Sequence, residues 1–544
     1  QRGISLTSNI LKTYEKVIAD RLQNILNKST TPLQGGGKRK ESAEDHAWIL
    51  QTIIEKNHKQ NKETKILITD VKKAFDHAWR MKVIHNLGKH GIRGKILESV
   101  YNINNNLTAS IKEQGTNSDQ FEVEDSLRQG SGLSAILYGQ HVGTIIEDIA
   151  ELELGTTMED LNVPGIAWQD DLTMLLEEET ERKVIENLEK LTKEQKIVFS
   201  EDKCKVMVFH RKRRKENSQI TLLQQNIEEV AEWKILGIMF NSKNNGSAHA
   251  LQNSNEAIEM ICSLGTKTQS HFIPTLFIRS KIVLYKICII RKLIYGMSAL
   301  ILTKQNKEDV DKTITSILRN FADLPQSTPK AGLLNEMGVL SGEMELTKQR
   351  MMTWYRLNNR DNIAIKRALQ TQIRYGLPWY QQTVEMACTI DIDLESIKGK
   401  TKNQWKNLVS KKINKYSKQK TEEDIKKSKR MNEIIKDEII PGKTKKYLGL
   451  PPSLAIPILR TRLGILDPKP RKPKWENKFI CKFCYEHSQS SHHYIVECNH
   501  TKKFFNDKDR EQVWRQLQYM DIEGDDLTKI ATICKKIQKE ILKN

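Results

Sequence analysis

Long hydrophobic runs are missing from this 544-residue chain. No apolar stretch reaches the ~18 residues that a membrane-spanning helix needs, which excludes a helical span and leaves no membrane partner to expect. Proline (13) and glycine (27) are few, and with 38% hydrophobic residues the length is ample for a buried core in more than one domain. Acidic residues are the minority charge. Lys and Arg number 88 against 68 Asp and Glu, a formal net charge of +20. Such an excess suits a polyanion, most often nucleic acid. Cysteine is scarce and unpaired in pattern: five of the eight are scattered and three cluster at 481–498. That excludes a disulfide framework and points to a reducing compartment with one metal site. An initiating Met is also missing. The chain opens at Gln1 in mid-pattern and reads as a fragment of a longer protein, with no signal peptide visible.

What is present is an alternation of strand-like and helix-like segments. "SNILKTYEKVIADRLQNILNK" (8–28) has helical spacing, "TPLQGGGKRKES" (31–42) is a Gly-rich basic loop, and "AEDHAWILQTIIEKNHKQ" (43–60) is again helical. "TKILITD" (64–70) reads as a strand ending on Asp70, followed by a helix start. A Gly/Ser loop feeds a long apolar helix at 126–149. "EWKILGIMF" (232–240) closes this region as a hairpin. The class is α+β, a sheet packed on helices. From about 245 the pattern is mostly helical, and "KLIYGMSALILTKQ" and "ELTKQRMMTWYRLNNR" look like buried helices with basic faces. "KGKTKNQWKNLVSKKINKYSKQK" (398–420) interleaves Lys with Trp405 and Tyr416. That suits a nucleic-acid strand, or equally a solvated helix whose aromatics pack inward. "RKRRK" (211–215) is an exposed basic turn and "DPKPRKPK" (467–474) an extended linker.

The segment "GIAWQDDLTMLL" (165–176) sets two adjacent carboxylates, Asp170 and Asp171, between two apolar strands. Alone, such a pair is an ordinary solvated turn. A strand end at Asp70 and a hairpin tip at 169–171 can, however, share one sheet edge. Three crowded carboxylates repel unless cations neutralise them. Oxygen ligands select Mg²⁺, and two such ions clamp the oxygens of a phosphoryl transfer.

Here the chain resembles a family. "DVKKAFD" (70–76), "LRQGSGLSAILY" (127–138), "AWQDDL" (167–172), "FSEDKCKVMVF" (199–209) and "EWKILGIMF", in that order, are similar to the successive palm motifs of reverse transcriptases. "RGISLTSNILKTYEKVIADRL" (2–22) and "LQGGGKRKESAEDHAWIL" (33–50) resemble the finger motifs of non-LTR (LINE-type) retrotransposon enzymes. The likeness is dense over residues 1–245. It implies a right-hand polymerase divided into fingers and palm (1–244), helical thumb (245–395), basic helical region and linker (396–475), and zinc knuckle with helical tail (476–544). It further implies an RNA-directed DNA polymerase taking template RNA, primer DNA and deoxynucleoside triphosphates, working in nucleus and cytoplasm as a ribonucleoprotein. A DNA-nicking endonuclease domain is expected upstream of Gln1.

By the same resemblance Asp70 and Asp170 are the catalytic metal-binding carboxylates, and Asp171 is their less direct neighbour. Val71 lends a backbone carbonyl. Phe75 stands at the sugar-gate position, unless it is simply core of the following helix. Gln129 and Gly130 belong to the loop near incoming nucleotide and template. Lys203 matches a lysine that serves the leaving pyrophosphate, or is a plain surface lysine. The chain departs from the family at three places. Trp168-Gln169 precede the paired acids where an aromatic and a small residue are usual. Gly36-Gly37-Lys38 and then Glu41-Ser42-Ala43 replace a Gly-Phe-Arg and an Arg-Ser-Thr, so Lys38, Arg39 or Lys40 would have to hold the triphosphate. Ala135 replaces a common proline.

"CKFCYEHSQSSHHYIVEC" supplies Cys481, Cys484, His493 and Cys498 as a Zn²⁺ set, with His492 the competing ligand; resemblance to the Cys-Cys-His-Cys knuckle near the end of many non-LTR elements implies His493 and a structural, nucleic-acid-binding role. Two functional classes remain: the polymerase, and a co-opted RNA-binding protein that keeps the fold without the reaction. An intron-type maturase fits the knuckle poorly.

Overall fold

The run Lys65-Ile-Leu-Ile-Thr has no polar alternation because it is covered on both faces: Ile66 and Leu67 are fully buried at the centre of a five-stranded sheet. In this computed structural model the strand order is Glu228–Glu229, Lys205–Phe209, Thr64–Asp70, Asp171–Leu176, Gly165–Trp168. All neighbours are antiparallel except the first pair. Helices Ala43–Lys59 and Ser134–Glu151 pack on the sheet, and their faces are buried almost throughout. Each fully buried aliphatic side chain contributes roughly 1.5–3 kcal/mol. Leu33 to Gly35 run alongside the outer strand, with Ala167 N–H donating to Leu33 O at 2.9 Å and Gly35 N–H to Ala167 O at 3.1 Å.

The structure describes residues 4–113, 115–123, 125–210, 219–266, 276–466, 480–485, 490–505, 509–520 and 522–543; the basic turn 211–215 and most of the region around it, and the linker 467–474, lie outside these. Two compact units form, one from 1–249, 298–301 and 354–383, the other from 250–297, 302–353 and 384–544. Among the described residues no helix is long and apolar enough to cross a membrane.

The first unit differs from the expected α+β layout at two points. No helix follows Asp70 directly. Lys72 N–H still pairs with Val198 O and Ser200 N–H with Asp70 O, Lys73 turns left-handed at φ 47°, and helix begins only at Arg80. Phe75 therefore sits in a turn rather than in a helix. Residues 354–383, expected with the thumb, belong to this unit. Asp45, fully buried on the 43–59 helix, explains why. A buried carboxylate needs cations, and Arg356 Nε (2.7 Å) and Arg360 Nη2 (3.0 Å) supply them. Trp379 adds an edge-to-face contact with Trp48.

The second unit is helical in its described part. The stretch 292–305 is not one helix, since the chain leaves helical geometry after Ile294 and Gly296 takes φ 71°. Helix Lys402–Lys427 starts on a Thr401/Gln404 capping box, as Thr-x-x-Gln predicts. Trp405, Val409 and Ile413 form its buried stripe, and the Trp405 indole donates to Met351 O at 2.9 Å. Trp405 is thus core and offers no stacking surface to a nucleic-acid strand. Tyr416 is half-buried under Lys420, whose ammonium is 5.6 Å from the ring.

This unit is pinned by Arg462, fully buried and forked onto Glu336 at 2.8 and 2.7 Å, with Asp437 at 2.7 Å; the Tyr447 hydroxyl also donates to Glu336 at 2.7 Å. Glu336→Gln keeps the shape but removes the charge opposite a buried guanidinium. It should cost about 3 kcal/mol, read as a lowered urea midpoint; an unchanged midpoint would show the pair to be idle.

Candidate active site

Antiparallel register decides the site. Asp70 is directly opposite Asp171, the last pair of the ladder that runs Lys65 to Leu176, Leu67 to Met174 and Thr69 to Leu172. Directly opposed side chains share a face, with Cβ atoms about 5 Å apart. Trp168 pairs with Asp171 on the other side, so Gln169 and Asp170 form the tip of a two-residue hairpin. The tip carries Gln169 at φ 58°, a left-handed conformation that costs an L-residue about 1 kcal/mol. Asp170 lies near Tyr138: burial first, then the Asp170 charge, push the Tyr138 phenol well above its ordinary pKa. Phe75 packs its ring on Tyr138 at 5.1 Å between centroids. The sequence-predicted Asp70, Asp170, Asp171 and Phe75 are thus brought together.

Lys203 joins them. Its Nζ is 2.9 Å from Asp70 Oδ2. Val71 is buried and bridges to Phe199, continuing the strand past Asp70. Gln129 Nε2 donates to Asp76 Oδ1 at 3.1 Å, and its carbonyl accepts from Ser5 N–H at 2.8 Å. Gly130 follows at φ 103°, where a side chain would strain the turn.

The finger-loop cations point elsewhere. Lys38 Nζ donates to Thr31 O at 2.7 Å, and burial pulls its pKa down to about 8. Arg39 is paired with Asp20. Glu41 accepts from Asn362 Nδ2 at 3.2 Å, with burial raising its pKa.

The sequence reading missed what the three glycines do. A Cβ on Gly35 would lie 2.4 Å from His46 Cε1 and 2.6 Å from Trp168 Cζ3. One on Gly36 would lie 2.3 Å from Gln169 N, and one on Gly37 2.6 Å from Ala135 O and 2.9 Å from Gln169 Nε2. The run is the floor under the hairpin tip. Gln34 braces it, donating to Gly139 O at 2.9 Å and accepting from Gly36 N–H at 2.7 Å. The one legible signal was that three bare backbones in a row suit close approach.

Charge crowding marks the site. Desolvation, then the charges of Asp170 and Asp70, push Asp171 up to about 6, against the pull of Lys203. Carboxylates that repel one another at a sheet edge are a fit for hard divalent cations.

In the second unit Cys481, Cys484, His493 and Cys498 bring their ligand atoms within 4.8 Å of one another. Cys481 Sγ is 3.9 Å from Cys498 Sγ, and Cys484 Sγ 3.4 Å from His493 Nε2. A tetrahedron with Zn–S and Zn–N bonds of ~2.3 and ~2.0 Å has edges of about 3.5–3.8 Å. The donors fit zinc. His493 Nδ1 donates to Glu497 Oε2 at 3.0 Å, which leaves Nε2 for a metal. His492 instead turns its ring edge-on to Trp514 at 5.1 Å.

A sheet edge with three carboxylates and a lysine, backed by a glycine floor, has the donor chemistry to hold divalent cations against phosphate. Residues 1–240 match the family model of reverse transcriptase (RNA-dependent DNA polymerase). Over 342 residues the chain is 23% identical to the retrovirus-related Pol polyprotein of the type-2 retrotransposable element R2DM of Drosophila melanogaster, covering 61% of this chain and 31% of that protein. Over 176 residues it is 23% identical to the Pol polyprotein of the type-1 element R2 of Popillia japonica, covering 32% and 24%. The chain thus spans a third or less of the curated relatives it matches. Among solved structures it is similar to telomerase from Candida tropicalis (TM-score 0.34, 12% identity, 73% of this chain and 56% of that one) and from Candida albicans (0.30, 10%, 66% and 58%), both with a fragment of telomeric RNA. These superpositions are too distant to bear on function.

The raised Asp171 pKa has a sign. A carboxyl that titrates near 6 when folded and near 4 when unfolded holds more protons in the native state between those values. Its ionisation therefore lowers stability as pH rises from 4 to 6, and the full penalty remains above 6. In chelator, Asp171→Asn should melt higher than the parent above pH 6, with the gap closing toward pH 4. A variant melting lower at pH 7.5 would contradict the crowding.

Proposed function

We propose that the protein is an RNA-directed DNA polymerase of a non-LTR retrotransposon, extending a primer 3′-hydroxyl along an RNA template. The register that sets Asp70 against Asp171, with Asp170 at the adjoining tip, carries the reading. Two Mg²⁺ ions held by Asp70, Asp170 and Asp171 would supply charge neutralisation for the attacking and leaving oxygens.

The chain's own residues do the rest. The Asp70 and Asp171 strands hold their carboxylates rigidly, so little reorganisation is needed as charge develops. Phe75, set firmly on Tyr138, walls the sugar pocket and crowds a ribose 2′-hydroxyl. Gln129 and Gly130 line the nucleotide and template side. Lys203, free to swing from Asp70, stabilises the departing pyrophosphate. Lys38 and Arg39 would grip the triphosphate only after letting go of Thr31 O and Asp20. That engagement is what favours the second reading, an RNA-binding protein that retains the fold without the reaction. The helices of the second unit would hold duplex through phosphates, reading shape rather than sequence. The Cys481/Cys484/His493/Cys498 set would hold a structural zinc ion in a nucleic-acid-binding knuckle.

On poly(rA)/oligo(dT) with Mg²⁺ and dTTP, the parent should extend the primer. Asp70→Asn and Asp170→Asn should each lose about 10²–10³-fold or more in kcat with an unchanged far-UV spectrum. Extension at parental speed by either variant would refute the polymerase; a parent that binds RNA without extending it would leave the second reading standing.

Metal analysis separates the histidines. His493→Ala should lose the one zinc equivalent and the amide protection of residues 490–505, while His492→Ala keeps both. The reverse result would reassign the fourth ligand.

A further inference from the structure

A cleft in the first unit takes no part in the carboxylate site. It lies between helices Asn9–Ser29 and Gly94–Asn104, and its volume of about 640 Å³ is in the size range of small-ligand pockets. Leu11, Ile103 and Leu107 form its apolar wall, and Ser99, Asn102 and Arg128 a polar one. The floor is rigid. Arg128 donates to Glu15 Oε1 at 2.9 Å and to Ile103 O at 3.2 Å, and Glu15 is fully buried. The Arg128 charge is thus already neutralised within the protein. At the mouth the Tyr14 hydroxyl donates to Ser99 Oγ at 3.0 Å, which fixes a ring that is 47% exposed. Asn102, exposed on the same cleft, offers an amide donor and acceptor.

Helical period extends this surface. Ile10, Tyr14 and Val17 follow one another at four and three residues, and all are exposed. Arg21 and Lys28 continue the row, both exposed, and Lys95 lines the cleft from the facing helix. Arg21 stands seven residues after Tyr14, roughly 10 Å along the helix axis. Among the described residues none of these three cations is held in an ion pair, whereas Asp20 on the same helix is taken by Arg39. Glu98 is the one acid among the lining residues. An exposed aromatic ring with an amide beside it and cations in line suits one unstacked base of a single strand. The base stacks on the ring, its edge meets the amide, and its phosphates meet Arg and Lys. A second copy of a chain with net charge +20 would bring like charge to the same row. The cleft also adjoins the Gln129–Gly130 loop. Arg128 immediately precedes that loop, and Ser5 N–H, just ahead of the first helix, donates to Gln129 O at 2.8 Å.

We propose that the Tyr14–Asn102 cleft binds one unstacked nucleobase of single-stranded RNA, the unpaired template ahead of the hybrid. Tyr14 is the stacking face, and Arg21, Lys28 and Lys95 contact the phosphates. The inference rests on the RNA-template part of the polymerase reading and uses none of the carboxylate residues. Stacking accepts any base, so the cleft grips the strand without reading its sequence.

The full chain, Tyr14→Leu and Tyr14→Phe should be titrated by fluorescence anisotropy with an RNA–DNA hybrid carrying a 5′ single-stranded RNA overhang, and with the same hybrid blunt-ended. Each overhang position is also replaced in turn by an abasic unit. Tyr14→Leu keeps apolar bulk but loses the ring, and should weaken overhang binding about tenfold while leaving the blunt hybrid unchanged. Tyr14→Phe keeps the ring and should stay near the parent. One abasic position should cost the parent about tenfold and cost Tyr14→Leu nothing further, since both changes remove the same contact. Parental overhang affinity in Tyr14→Leu would overturn the site. So would an equal loss on the blunt hybrid, or abasic costs that are the same in both proteins. A dimer seen by sedimentation that Tyr14→Leu dissociates, with RNA binding untouched, would assign the cleft to a second copy instead. An unaffected Tyr14→Leu beside a parent that extends primers sinks this inference alone; a parent that binds neither hybrid sinks the RNA-template reading with it.

Discussion

The structure depends on bringing charges together against their own repulsion. The strand Thr64–Asp70 is buried on both faces, and its antiparallel pairing with Asp171–Leu176 is specified by the burial of Ile66, Leu67, Leu172 and Met174. A slip of one residue would send each of these side chains to the opposite face, where the packing neighbours are different. The apolar ladder ends on two opposed carboxylates with a third at the adjoining tip, where burial first and then the charges of Asp170 and Asp70 push the Asp171 carboxyl upward. That concentration of negative charge is what a pair of divalent cations would relieve.

Everything around the tip is arranged to keep it still. The glycine run gives the hairpin room to lie flat on the helix Ser134–Glu151, and Gln34 ties loop, helix and tip with one amide. The loop in turn is held from farther along the chain. Asn362 donates to Pro32 O at 2.9 Å and to Glu41, and Arg356 and Arg360 neutralise Asp45. Glu41, an odd choice for a triphosphate loop, makes sense as an anchor for this returning segment.

The second unit solves a different problem. Its helices carry many lysines and a modest apolar stripe, so buried polar pins do part of the holding: Arg462 with Glu336 and Asp437 in the helical body, and a four-ligand cluster in the terminal module. A module this small lacks the core to fold on hydrophobic burial alone, and a metal at such a cluster would supply folding energy directly.

The α+β class, the strand ending on Asp70, the hairpin carrying Asp170 and Asp171, and the Cys/Cys/His/Cys set were all readable from order and spacing, because apolar period and ligand spacing are local properties of a chain. The resemblance to a non-LTR knuckle, and not spacing alone, preferred His493 to His492, and His493 is the histidine that lies with the three cysteines. The residues that misled were those whose partners are set by how the chain packs and not by residue type and spacing. Trp405 looked available between lysines, yet its indole donates to Met351 in the core. Lys38 and Arg39 looked like triphosphate ligands, yet one is turned onto Thr31 and the other onto Asp20. Three glycines read only as part of a Gly-rich basic loop, and they are a packing floor. Sequence by itself determined which segments are strands and helices and which side chains have metal-binding chemistry. Only tertiary structure decided which cations are already engaged, which aromatics are buried and how closely the glycine run meets the hairpin tip, because those depend on which neighbours the folded chain brings to each side chain, at separations from 7 residues (Lys38 to Thr31) to 135 (Gln34 to Gln169).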